Sequence, residues 1–184
     1  MRARASASAP PRGRVRIFVG GVSDRDPLAV DRLIEEVKED SQTVDVVIAD
    51  GTGPWCWQGV KASVSALPFV SQDIFLAELG KSHVSYLPLQ ERNRAAGHMV
   101  FVAGLEAGVP TVISRTSGTA EYVTRDSNVV DGYPGLNALM QIASADEEAR
   151  ARLRLEWKEK FSQEAYILRA TTALASLGWP KGEL

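Results

Sequence analysis

Hydrophobic positions follow two rhythms along this chain. Short, nearly continuous apolar runs at residues 14–21, 44–49, 83–87 and 109–114 read as strands covered on both faces. A smaller strand is predicted over 128–130, and a short extended segment over 67–70. Elsewhere the spacing is helical. Val30, Leu33, Ile34 and Val37 stand at i, i+3, i+4 and i+7, one buried helical face, with Asp26 placed to N-cap it and Pro27 in its first turn. The same pattern predicts helices over 55–66, where Val60 and Val64 lie one turn apart, and from Ser71 or Gln72, with Ile74, Leu76 and Leu79 inside. Further helices are predicted at 97–107, 135–145, 147–161 and 163–177, the last ended by Gly178, Trp179 and Pro180. Residues 147–161 are so charged that most of that helix is a solvated face, with Leu153 and Trp157 inward.

Residues 83–123 organise the rest. A strand leads into a polar loop at 88–96 carrying Glu91, Arg92 and Arg94. Gly97 starts an apolar helix, and Gly108 stops it as a C′ glycine does. A second strand follows, and Gly118 and Thr119 then open a short helix carrying Glu121 and Tyr122. Strand, loop, helix, repeated, is the grammar of a parallel α/β sheet, here about five strands alternating with helices in one Rossmann-like domain. Ligands bind such sheets at the loops leaving the carboxyl ends of strands. Both loops lead into glycine-started helices, whose free N–H groups favour anions, a fitting place for a diphosphate.

Composition narrows the classes. At 184 residues the chain is one domain with a full core. Its net charge of -2 provides no field to attract nucleic acid. A single cysteine, Cys56, excludes an internal disulfide and a cysteine zinc site, and fits a reducing cytoplasm. The two histidines, His83 and His98, offer no metal constellation. No apolar run approaches the roughly 20 residues needed to span a bilayer. Residues 1–13 are basic and rich in Ala, Ser and Pro, and read as a flexible tail before a domain at 14–184. The loop Asp50-Gly51-Thr52-Gly53-Pro54 lacks the third glycine of a dinucleotide fingerprint, so no cofactor is expected. No serine stands in a G-x-S-x-G elbow. Trp55 and Trp57 either stack on a ligand or pack beside a loop.

Three segments, PLQERNRAAGHM, GLEAGVPTVIS and SGTAEYV, resemble the donor-binding half of GT-B glycosyltransferases of retaining family 4. They are similar to that family's loop, its E-A-M-A-x-G-x-P-V-V helix and strand, and its G-G-x-x-E turn. The variant with A-G-Q-M before the helix and S-N-R-D near the first strand fits best, seen here as AGHM and Ser23-Asp24-Arg25-Asp26. The resemblance covers roughly residues 14–177. It implies the carboxy-terminal half of a GT-B fold, and a nucleotide diphosphate sugar as donor substrate. The amino-terminal acceptor half is missing from the match, so transfer would need a second glycosyltransferase subunit or a homodimer.

Each candidate side chain carries two readings. Arg25 is either a clamp on donor phosphate or an exposed cation paired with Asp24 or Asp26. Gly97 lets backbone amides approach a phosphate, and His98 beside it either donates to that phosphate or is a surface histidine. Arg94 either reaches the ligand or is a loop charge near Glu91. Ser117, Gly118 and Thr119 bind a ribose or phosphate, or cap their own turn. His83 reads as a satisfied core residue. The family's two carboxylates fall on Ala95 and Ala103, and its G-R-L arginine falls on Gly21. Glu106, three residues after Ala103, is the available substitute. No catalytic residue is assigned. These losses support a second reading, a catalytically degenerate homologue acting as a nucleotide-binding or interaction subunit. A fragment of a sugar-nucleotide epimerase is a third.

Overall fold

The computed structural model describes residues 13–177 apart from 22, 41, 50–54, 93, 95 and 124–126. The expected tail, except Gly13, the loop at 50–54, Ala95 and the residues 178–180 lie outside the described residues. Among those described, seven strands form one sheet: β1 (Val15–Gly20), β2 (Val44–Ala49), β3 (Trp57–Gln58), β4 (Ser63–Ala66), β5 (Val84–Leu87), β6 (Thr111–Ser114) and β7 (Asn128–Val130). Their order is β3-β4-β2-β1-β5-β6-β7. All pairs are parallel except the edge pair β3–β4. Six helices accompany them: α1 (Pro27–Glu39), α2 (Gln72–Gly80), α3 (His98–Ala107), α4 (Leu136–Ala143), α5 (Glu147–Lys160) and α6 (Gln163–Ser176), with a single 3-10 turn at Thr119–Glu121.

Strand alternation feeds two cores. Ile17, Val19, Val84, Tyr86 and Val112 join the apolar face of α1 and the buried side of α4 in one cluster. Phe18, Leu87 and Ile113 point the other way, toward α2, α3 and α5. Central strands buried on both faces explain the continuous apolar runs of the sequence. Asp26 caps α1 by accepting from Leu28 N at 3.1 Å, and Pro27 occupies its first turn, as the sequence predicts. Glu36 of α1 accepts from Leu136 N at 2.7 Å and from the Tyr133 hydroxyl at 3.1 Å, so a carboxylate of α1 holds the amino end of α4. His83, just before β5, accepts at Nδ1 from Arg16 N at 2.9 Å and is half-buried.

Three expectations change. Residues 55–66 form no helix but a hairpin, β3 against β4, with Trp57 opposite Val64 and Val60 exposed at the turn. Residues 67–70 add no strand. In α2 only Leu79 is buried, while Ile74 and Leu76 face outward. No described helix is long and apolar enough to cross a membrane.

Candidate functional site

The chain runs from β1 outward through β2 to β4, then returns to lay β5 on the other side of β1. The loops after β1 and β5 therefore diverge in opposite directions from neighbouring strands, which opens a crevice at the carboxyl edge of the sheet. Backbone bonds zip the two loops together at its base. Asp26 N donates to Pro88 O and Gln90 N donates to Asp24 O, each at 2.9 Å, around a bridge between Arg25 and Leu89. A cavity of about 720 Å³ lies here, lined by Gly21, Asp24, Arg25, Arg94, Gly97, His98, Glu121 and Tyr122 among others. Small-molecule sites run from roughly 300 to 1,000 Å³, so the space suits a nucleotide-sized ligand.

Arg25 is the centre of the cavity's chemistry. Its Nε donates to Gly20 O at 2.6 Å, which fixes the guanidinium plane. Its Nη1 is buried and has no hydrogen-bond partner among the described residues. A methyl group placed on Gly97 would stand 3.6 Å from that Nη1, so the guanidinium lies at the amino end of α3. Gly21, at φ +87, makes the room: a β-carbon there would sit 2.3 Å from Arg25 Nη2. Burial pushes the Arg25 pKa down to about 10, opposed by Tyr122 and Asp24, and the side chain stays cationic at neutral pH. A buried guanidinium nitrogen without an acceptor is costly, and an anion entering the cavity would offset that cost.

The start of α3 adds to the same field. Gly97 adopts φ 76 and no side chain caps the helix. The first intrahelical bond is Phe101 N to Gly97 O at 2.9 Å, which leaves the preceding amides free for a ligand. No acidic residue stands in that first turn. His98 is exposed, and its ring meets Tyr122 edge-on at 5.0 Å and Phe161 at 6.2 Å. Tyr122 donates its hydroxyl to Ala96 O, and burial pushes its pKa up to about 12. Tyr122 thus presents a neutral aromatic wall to the cavity, with the His98 ring edge-on against it.

The remaining candidates are held by the protein itself. Arg94 lines the cavity, but its Nε donates to Asp24 Oδ2 at 2.7 Å, and Arg92 approaches the same carboxylate at 3.6 Å. Asp24 therefore pairs with these two arginines rather than with Arg25. Glu91 is not the partner of Arg94: it accepts from Ser117 N at 3.0 Å and from the Ser117 hydroxyl, and these bonds hold its pKa below the usual carboxylate range. Thr119 is buried, accepts from Thr116 N at 2.9 Å and closes its own turn. Ser117, Gly118 and Thr119 do not line the cavity. Neither does Glu106, exposed in the last turn of α3 and about 12 Å along the axis from His98. Ala103 packs against the cluster around Phe18. Trp55 and Trp57 pack against the core on the α1 side.

A second cavity, about 410 Å³, opens at the opposite edge between Arg14, Thr43, His83 and Met140. Its arginine is paired with Asp45 at 2.8 Å, whereas Arg25 of the first cavity has no ion pair among the described residues. The sequence reading missed Gly21 as the seat of the Arg25 guanidinium and Tyr122 as a wall of the site. A glycine pair ending a strand beside an arginine was the available signal.

No protein-family model matches the sequence, and no curated protein matches it. Solved structures do. The calicheamicin glycosyltransferase CalG4 superposes with a TM-score of 0.56 at 16% identity, over 95% of this chain and 45% of that one. A UDP-forming α,α-trehalose-phosphate synthase from Burkholderia xenovorans gives 0.58 at 17% identity, over 90% and 44%. HepE of Anabaena, solved in complex with UDP-glucose, gives 0.56 at 13% identity, over 86% and 48%. The shared feature is the fold: a single α/β domain like the carboxy-terminal Rossmann-like domain of GT-B glycosyltransferases. The chain spans less than half the length of each of these structures.

Proposed function

We propose that this protein binds a nucleotide diphosphate sugar in the cavity between the loops after β1 and β5, and serves a glycosyltransferase as its donor-binding half. One observation carries the reading: the buried, unpartnered Nη1 of Arg25 stands at the uncapped amino end of α3. A guanidinium and a helix amino terminus together match a diphosphate and need no metal to hold it. The fold supports the same direction, since one structural relative was solved with UDP-glucose. The motif order fits retaining family 4. Arg25, Gly97 and His98 are assigned to the phosphates, with Arg94 on the rim. Ser117, Gly118, Thr119 and Glu106 come into play only through rearrangement, because none of them lines the cavity: Ser117 is bonded to Glu91, Thr119 closes its own turn and Glu106 is remote. Transfer requires an acceptor-binding half from a second subunit or a second copy, and the cytoplasm, where nucleotide sugars are made, is the proposed place of action.

A second reading is favoured by Ala103, which gives α3 an apolar contact where the family carries a carboxylate. On that reading the protein has lost the transfer and serves as a nucleotide-binding or interaction subunit. Calorimetric titration with uridine, guanosine and adenosine diphosphates tests the donor site. One of them is expected to bind wild type and to lose at least about tenfold in affinity with Arg25→Ala. No binding by any of the three would refute the donor reading and leave the interaction subunit standing. Release of sugar from a bound donor by the isolated chain would decide for the enzyme.

A further inference from the structure

Asp24 is the described non-glycine residue with positive φ, at 56. L-residues avoid this region, and such strain persists only where the surroundings over-determine it. Here the backbone bonds to Pro88 and Gln90 do so. The strained residue turns its side chain into the wall of the diphosphate cavity, where the carboxylate is only 11% exposed. There it holds Arg94 by both Nε, at 2.7 Å, and Nη2, at 2.6 Å. Of the two arginines lining the cavity, Arg94 is thus ion-paired with Asp24, a carboxylate that Arg92 also approaches, whereas Arg25 has no ion pair among the described residues.

We propose that Asp24 sets the charge of the site and so determines how tightly it holds a free nucleoside diphosphate relative to its sugar ester. The inference rests on the diphosphate reading above. Near neutral pH the free diphosphate carries about one more negative charge than the ester, because its terminal phosphate has a second ionisation near pH 6. With Arg94 tied to Asp24, the cavity gives that additional charge no additional cation. The free diphosphate is therefore not over-bound against the ester. Removing the carboxylate releases Arg94 for the terminal phosphate. Asn and Gly both tolerate left-handed backbone, so either substitution keeps the turn.

The test measures dissociation constants for uridine, guanosine and adenosine diphosphates and for their glucose esters. The proteins are wild type, Asp24→Asn, Asp24→Gly and the double variant Asp24→Asn/Arg94→Ala. Asp24→Asn and Asp24→Gly are expected to tighten the free diphosphate about tenfold and the ester less than about threefold. The double variant is expected to return to within about twofold of wild type, since the net charge of the pair is again zero. Equal tightening of both ligands, or a double variant as tight as Asp24→Asn, would overturn the role of Asp24. Both results leave the diphosphate reading intact. Wild type binding none of the ligands would refute that reading first.

Discussion

Gly21 shows how one missing β-carbon shapes a binding site. Its positive φ and the Arg25 guanidinium above it both exclude a larger residue. Gly21→Ala is therefore expected to cost about 1 kcal/mol or more of stability and to displace Arg25 while leaving that residue present. Calorimetry on a folded Gly21→Ala protein should show diphosphate affinity as weak as in Arg25→Ala. Wild-type affinity in the alanine variant would mean that Arg25 does not act from its observed place. The lining of the candidate cavity was legible in part: Arg25, Arg94, Gly97 and His98 line it, and Glu106, Ser117, Gly118 and Thr119 do not. The partners of the lining residues were not legible. Asp24 lies beside Arg25 in sequence, yet the left-handed turn sends its carboxylate to Arg94, some 70 positions away. Pairings set by such a turn are invisible to spacing.

Elements with one dominant burial rule were the readable ones. Strands covered on both faces and the four-residue apolar face of α1 appear where the pattern puts them. The hairpin at β3 and β4 does not, because Val60 and Val64 at helical spacing outweighed Gly59, which breaks the run and lets the chain reverse. Helix α2 was found, but its apolar Ile74 and Leu76 face outward, so composition there did not report burial. The entry to β5 makes a pH prediction. His83 is neutral in the fold, its pKa lowered first by burial and then by Arg150 and Arg16, while its Nδ1 accepts from Arg16 N. The unfolded chain binds a proton near pH 6.5 that the folded one refuses. The stabilising contribution is therefore present above that pH and lost as pH falls through it. The unfolding midpoint in urea should fall between pH 7.5 and 5.5, and His83→Gln, which keeps an acceptor for Arg16 N, should flatten the fall. An equally steep profile in His83→Gln would assign the dependence to other groups.

At the scale of the whole molecule, the strand order decides where function lies. The reversal between β1 and β5 gathers two loops at one edge, and the cavity, the Arg25 guanidinium and the uncapped helix coincide there. The α/β class and the loop following each strand could be read from periodicity alone. The tie between Ser117 and Glu91 could not, since it depends on loops distant in sequence meeting at the sheet edge. Amide chemical-shift mapping during titration with a nucleoside diphosphate tests the central claim most directly, because it reports position as well as affinity. The expected result is that the largest shifts fall on Gly97, His98 and Met99 and on the Arg25 Nε–H. Saturable shifts confined to Ser117–Thr119 or to the opposite edge near Arg14 and His83, with the start of α3 unmoved, would contradict it.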